Sequence, residues 1–302
     1  MQLPVRICKA AGVATLVLLM AVPVLAQVQD ALSSYTGVNA EGYMQPIVDA
    51  MGADLNDAFF YTAYIPKSGA RFSFELVAMS VIFADEDKTF QAMTEGGFVP
   101  LSGGGTFTAP TIVGDTQSQS VTGQGGAQFN APGGFDLNSF ALAVPQLRIG
   151  VLRGTEAVIR FIAVDISDNE ISEIDLFGLG LRHSLTQYFS APVDMAIGGM
   201  WQSFSMGSDF VDSNAFTVGL QASKGFALLT PYGAVSYDYF KMDMTFDSDV
   251  TGLPEPTTVD FDATTTGRLT LGLALNYVIG NAFAEYNFAS TNSFAFGLTI
   301  GK

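Results

Sequence analysis

From Gly267 to Lys302 large apolar residues alternate with small or polar ones at period two, the pattern of neighbouring half-buried β-strands. Leu269, Leu271, Leu273, Leu275 and Tyr277 share one face, and Arg268, Thr270, Gly272, Ala274 and Asn276 share the other. After a turn at 278–281, Ala282, Ala284, Tyr286 and Phe288 stand opposite Glu285 and Asn287. After a second turn at 289–292, Phe294, Phe296, Leu298 and Ile300 stand opposite Ser293, Ala295, Gly297 and Thr299. Large side chains on one face and Gly, Ala, Thr and Asn on the other describe the wall of a transmembrane barrel, with lipid outside and a crowded lumen within.

Upstream the same alternation recurs. Phe72, Phe74, Leu76 and Ala78 oppose Ser73, Glu75, Val77 and Met79. The chain divides into twelve predicted strands: 57–65, 70–84, 87–94, 144–152, 155–165, 172–188, 192–205, 214–224, 227–243, 259–278, 281–289 and 292–301. Short turns near 152–155, 189–192, 224–226 and 278–281 interleave with loops at 166–172, 206–213, 243–259 and 289–292, as in outer-membrane barrels. The fold class is therefore all-β, a closed antiparallel transmembrane β-barrel of about 12 strands. A strand hidden in the Gly-, Ser- and Thr-rich stretch 95–144 would bring a partner and make 14, whether that stretch stays outside or folds into the lumen.

The N-terminal region departs from this period. Arg6 and Lys9 precede an apolar run from Ala10 to Leu25, and small residues end at Ala26, which marks 1–26 as a cleaved signal peptide. The only cysteine, Cys8, leaves with it. Within 27–56, Tyr43, Met44, Ile47, Val48 and Met51 recur at intervals of three and four, a short amphipathic helix with Pro46 near its start and Gly52 as its stop. That helix either caps one end of the barrel from the periplasm or plugs its lumen; the barrel proper is 57–302.

Composition narrows the function. The 302 residues are 48% hydrophobic and 14% charged, with no apolar run after the first 26 long enough for a spanning helix. Thirteen basic against 29 acidic residues exclude nucleic acid as a partner. Parity places Glu75, Arg148, Glu156, Arg160, Arg182, Arg268 and Glu285 on the lumen side, and a loop centred near Asn169 sets Glu156 opposite Arg182 as an ion pair. Such charges either brace a narrow barrel or form a selective constriction. His183, the one histidine, shares the lipid face with Phe177, Leu179 and Leu181, so no catalytic constellation is expected. The acidic loop bearing Asp243, Asp247, Asp249, Glu255, Asp260 and Asp262 lacks calcium-loop spacing, so neither metal nor cofactor is expected.

Several stretches carry a likeness. Tyr35 to Pro46, Leu55-Asn56, Pro145 to Gly150, Gly154 to Glu156, Arg160 and Leu176 to Ser184 resemble a bacterial family of unknown function expected to form outer-membrane barrels, a likeness spanning nearly the whole mature chain. More distantly, an N-terminal segment ahead of a barrel of this size is similar in architecture to the long-chain fatty-acid transporter family, whose N-terminal hatch plugs the lumen; its Asn-Pro-Ala hatch segment has no counterpart here. The expectation is a passive channel or transporter for small hydrophobic or amphipathic solutes in the outer membrane of a Gram-negative-type bacterium. Its partners would be outer-membrane lipid and such a solute. The alternative is a structural or adhesive surface protein that binds through its long loops.

Overall fold

The computed structural model describes residue 28 and residues 31–301, except 36, 70, 96, 103, 151–152, 166–172, 208–209 and 248–255, so the predicted signal peptide lies outside the described residues. Ten strands close into one antiparallel barrel. They are β1 (Arg71–Ile82), β6 (Ser139–Gly150), β7 (Thr155–Asp165), β8 (Glu173–Ser184), β9 (Asp194–Met206), β10 (Val211–Ser223), β11 (Leu229–Phe246), β12 (Thr257–Tyr277), β13 (Gly280–Phe288) and β14 (Ser293–Gly301). From β6 to β14 each strand pairs with the next in sequence, and β1 closes the ring between β14 and β6. Four shorter strands lie outside the wall as two hairpins: β2 (Thr89–Met93) with β3 (Thr106–Pro110), and β4 (Gln119–Thr122) with β5 (Gln128–Ala131).

The facing of the wall follows the alternation in sequence. Leu269, Leu271, Leu273, Leu275, Phe296, Leu298 and Ile300 are exposed, whereas Arg268, Thr270, Ala274, Glu285 and Thr299 are buried. An apolar exterior around a polar interior is the reverse of a soluble protein and suits a wall bathed in hydrocarbon. No described helix is long and apolar enough to cross a membrane.

The wall has ten strands where twelve are predicted. Residues 57–65 form no strand, although Phe59, Phe60, Tyr61 and Tyr64 give them strand-like composition; the stretch runs irregularly and mostly buried. Residues 87–94 supply β2, which pairs with β3 rather than with the wall. The stretch 95–144 contains β3, β4, β5 and the first half of β6, added without any strand joining the barrel on their account except β6 itself.

Among the described residues one long helix, α1 (Gly37–Asn56), lies inside the ring. It is longer than the sequence predicts at both ends. Pro46 falls well inside it and Gly52 does not stop it. A Cβ on Gly52 would come within 2.8 Å of the Phe240 ring, so this glycine serves close approach to the wall. The helix ends at Asn56, whose Nδ2 donates to the Gly52 carbonyl at 3.0 Å. Two residues on, Ala58 adopts φ 59°, a left-handed conformation that redirects the chain into the lower lumen.

Pairing between β6 and β7 is incomplete. It runs from Gln146 opposite Arg160 to Gly150 opposite Glu156 and stops there, though β6 extends back to Ser139 and β7 on to Asp165. The first unpaired residue of β6 is Pro145, which has no N–H to donate to a ladder; proline is confined to strand edges for that reason. Against β1, by contrast, β6 pairs along its whole length. The unpaired stretch is roughly 20 Å long at the usual rise per residue and lies toward the end of the barrel that carries the long loops.

Candidate functional site

Two features fill the lumen, one polar and one apolar. The polar one is a layer of arginines grasping the chain that follows α1. An irregular buried segment must find partners for its backbone groups outside itself, and here the wall supplies them. Arg160 donates from Nη1 to the Leu55 carbonyl at 3.0 Å and from Nη2 to the Asp57 carbonyl at 2.5 Å. Arg268 donates to the Asn56 carbonyl at 2.5 Å and to the Asp57 carboxylate. Arg148 reaches the Phe59 carbonyl at 3.1 Å, and Arg182 reaches the Thr62 carbonyl. The two N–H groups at Ala58 and Ala63 donate to Glu285 and to Ser223, each at 3.0 Å.

The wall groups are themselves braced. Glu75 and Glu156 bind Arg148 at 2.9 and 3.1 Å, and Glu156 also binds Arg182 at 2.7 Å, the pair expected from register. Asp238 holds Arg268 at 3.1 Å, and Tyr232 donates to Glu285 at 2.9 Å. Arg160 differs from the rest. Its remaining partners are the amide oxygens of Gln146 and Gln202, at 2.6 and 3.2 Å, and no described carboxylate pairs with it. Aromatic side chains of the lumen segment fill the space between: Tyr61 stacks on Phe283 at 4.8 Å with Arg148 over its other face at 4.5 Å, and Phe59 lies where a Cβ on Gly180 would meet it at 2.6 Å.

All seven wall residues singled out by parity, Glu75, Arg148, Glu156, Arg160, Arg182, Arg268 and Glu285, are buried and point inward. Sequence reasoning passed over Asp57, Asp238, Gln146 and Gln202. Gln146, Gln202 and Asp238 share inward parity with the residues around them and were legible by the same rule. Asp57 carried no signal, because its surroundings read as strand. Burial pushes the Asp57 carboxyl up to about 7 despite Arg268, and burial holds Asp54 well above the carboxylate range. Neither oxygen of Asp54 has a hydrogen-bond partner among the described residues.

The apolar feature lies above this layer, toward the long loops. A cavity of about 300 Å³ separates the Met44, Ile47 and Met51 face of α1 from the wall at Phe204, Met242 and Met244. Val28, from the start of the described chain, also lines it. Of the other helix residues singled out by sequence, Val48 is buried, and Tyr43 donates from its hydroxyl to the Gly133 carbonyl at 2.9 Å, tying the helix to the long loop. Along β6 the lining includes Phe140 and Leu142, on the inner face, together with Ala141 and Ala143, on the outer face. Residues from both faces of β6 thus border the cavity along the stretch that β7 leaves unpaired.

His183 stands on the outer face, held by Thr155, Gln187 and Tyr188 near the short-turn end. Among the described residues no group of His, Cys, Asp and Glu could hold a metal ion. Of the acidic residues expected in a loop, Asp243 lies on β11 and Asp260 opposite it on β12, and Lys241 bridges them at 3.0 and 3.9 Å.

A closed antiparallel barrel with an apolar exterior and a lumen filled by its own N-terminal segment defines an outer-membrane β-barrel protein. Within that class the chain belongs to a family of unknown function, DUF6588, which it matches over residues 7–302. No protein of curated function matches the sequence. Among solved structures it is similar to the outer-membrane protease OmpT of Escherichia coli, with 9% identity, 79% of this chain and 97% of that chain covered, and a TM-score of 0.33. The Ralstonia pickettii toluene transporter TbuX follows, at 10% identity, 78% and 89% coverage, and a TM-score of 0.28. The translocator domain of the Neisseria meningitidis autotransporter NalP is 12% identical over 85% and 94%, with a TM-score of 0.27. Values this low leave the class resting on the barrel's own geometry.

Proposed function

We propose that the protein is a passive conduit for small apolar solutes, which lodge in the cavity beside α1 and leave sideways between β6 and β7. The observation that carries this reading is the cavity's lining by both faces of β6 at the place where the ladder is open. The arginine layer supports it from below. Passage along the barrel axis would require release of a chain held by four buried guanidinium groups, and apolar solutes would then have to cross the most polar zone of the lumen. A lateral exit requires neither. The segment 27–56 then serves as a plug whose Met44, Ile47 and Met51 face forms one wall of the path, and the chain from Asp57 to Ile65 anchors it.

The reading is tested in cells with an intact lipopolysaccharide leaflet, which slows apolar molecules, by following the fluorescence rise of N-phenyl-1-naphthylamine on uptake. The wild-type protein should raise the uptake rate above that of cells lacking it, and Ala143→Trp, which fills the opening, should return the rate to background while the barrel keeps its heat-modifiable mobility. Equal uptake by wild type and Ala143→Trp refutes the lateral path. No uptake by either leaves the surface-protein alternative in its place.

A further inference from the structure

We infer that the cavity beside α1 is a binding site selective for uncharged apolar molecules of about two fused rings in size, and that it rejects the same skeleton carrying a carboxylate. This rests on the proposed conduit and narrows its solute class. Size comes from volume. An apolar cavity of roughly 150 Å³ holds one benzene, so about 300 Å³ suits a bicyclic hydrocarbon or a branched chain of similar bulk.

Charge selectivity comes from the lining. Its described residues are Val, Ile, Leu, Met, Phe and Ala with one serine, Ser139 at the outer end, and none of the described lining side chains is ionisable. The arginines are held below by partners of their own, Arg148 and Arg182 by carboxylates and Arg160 by carbonyl oxygens. Lys241, adjacent in sequence to the lining residue Met242, points to the other face of β11 and is bridged to Asp243. A carboxylate in the cavity would be buried without a partner, which is strongly unfavourable. Five methionines, Met44, Met51, Met206, Met242 and Met244, line the space. Thioether side chains are flexible and make favourable contacts with aromatic edges, so the site adapts to ring systems of differing outline.

The test uses the full mature protein in lipid nanodiscs, labelled with ¹³C at methionine methyl groups, and a matched pair of probes, naphthalene and 2-naphthoate. Naphthalene should shift the methyl resonances of Met44, Met51, Met242 and Met244 in a saturable way. Met93 and Met195, which do not line the cavity, should stay in place. 2-Naphthoate should require at least about tenfold more probe for the same shifts. Comparable shifts with both probes overturn the charge selectivity and leave the conduit standing. If naphthalene moves none of the four, or if lipid acyl chains already occupy the site, seen as methyl contacts to lipid that naphthalene does not displace, both the site and the conduit reading fall.

Discussion

Replacing Arg160 with methionine tests how firmly the lumen chain is held. The substitution removes two hydrogen bonds to that chain, at Leu55 and Asp57. The Leu55 carbonyl keeps a bond from Gln202, so the carbonyl of Asp57 alone loses its partner. At about 1.5–3 kcal/mol for a bond with a charged partner, the gross loss is roughly 3–6 kcal/mol. Against it stands relief from burying a guanidinium that pairs with no described carboxylate, a penalty of several kcal/mol in a protein interior. The net is about 1–3 kcal/mol, or roughly 5- to 150-fold in the population with the chain released. Arg268→Met should do more, because it strands the buried carboxylates of Asp57 and Asp238 as well, and breaking a buried pair costs about 3–5 kcal/mol. The assay is single-channel recording in planar bilayers. Wild type should pass no steady ionic current, Arg160→Met should open in brief steps, and Arg268→Met should open more often. Silence from both variants with the barrel intact, or greater opening by Arg160→Met, refutes the reasoning.

Three further outcomes follow from particular residues. Leu273→Arg places a charge on the lipid face and should destabilise the barrel by about 2–4 kcal/mol near the bilayer midplane, measured by urea unfolding in liposomes; tolerance equal to that of an exposed loop position would remove the facing assignment. Asp54 has a folded pKa raised by burial above its unfolded value of about 3.9, so stability falls as pH climbs above about 4. Asp54→Asn should therefore unfold at a higher temperature than wild type at pH 7.5, with the gap closing toward pH 4; a gap that widens on acidification contradicts this. Deleting residues 27–56 alone should leave ionic conductance low, since the chain from Asp57 to Ile65 stays in the arginine layer, whereas deletion through 65 should open the axis; steady current from the shorter deletion would place the block in α1 instead.

The facing of the wall and the pairing of Glu156 with Arg182 were legible because a barrel strand repeats every two residues and one loop centre fixes its neighbour's register. The same rule failed at 57–65 for a physical reason. Aromatic residues there satisfy a strand's composition, but the carbonyls of Leu55, Asn56, Asp57, Phe59 and Thr62 are claimed by side chains from five wall strands, β6, β7, β8, β9 and β12, and composition holds no record of a partner so distant in sequence. Gly52 misled in a similar way. A glycine that ends a helix and one that lets a helix approach Phe240 are identical in sequence. The open ladder had a visible sign in Pro145, but the cavity beside it depends on how α1 leans within the ring.

The direction of the lumen chain bears on how the protein is made. Val28 lies near the long-loop end, among Met242 and Met244, while Ala63 meets Ser223 and Lys67 meets Arg153 at the end with the short turns. The ring is completed where β1, the first wall strand, meets β14, the last. An assembly in which the N-terminal stretch is in position before the last strand arrives lets the arginines acquire their carbonyl partners as the circle shuts. Synthesis order and spatial order thus run together: the earliest of the described residues are enclosed by the strands made after them.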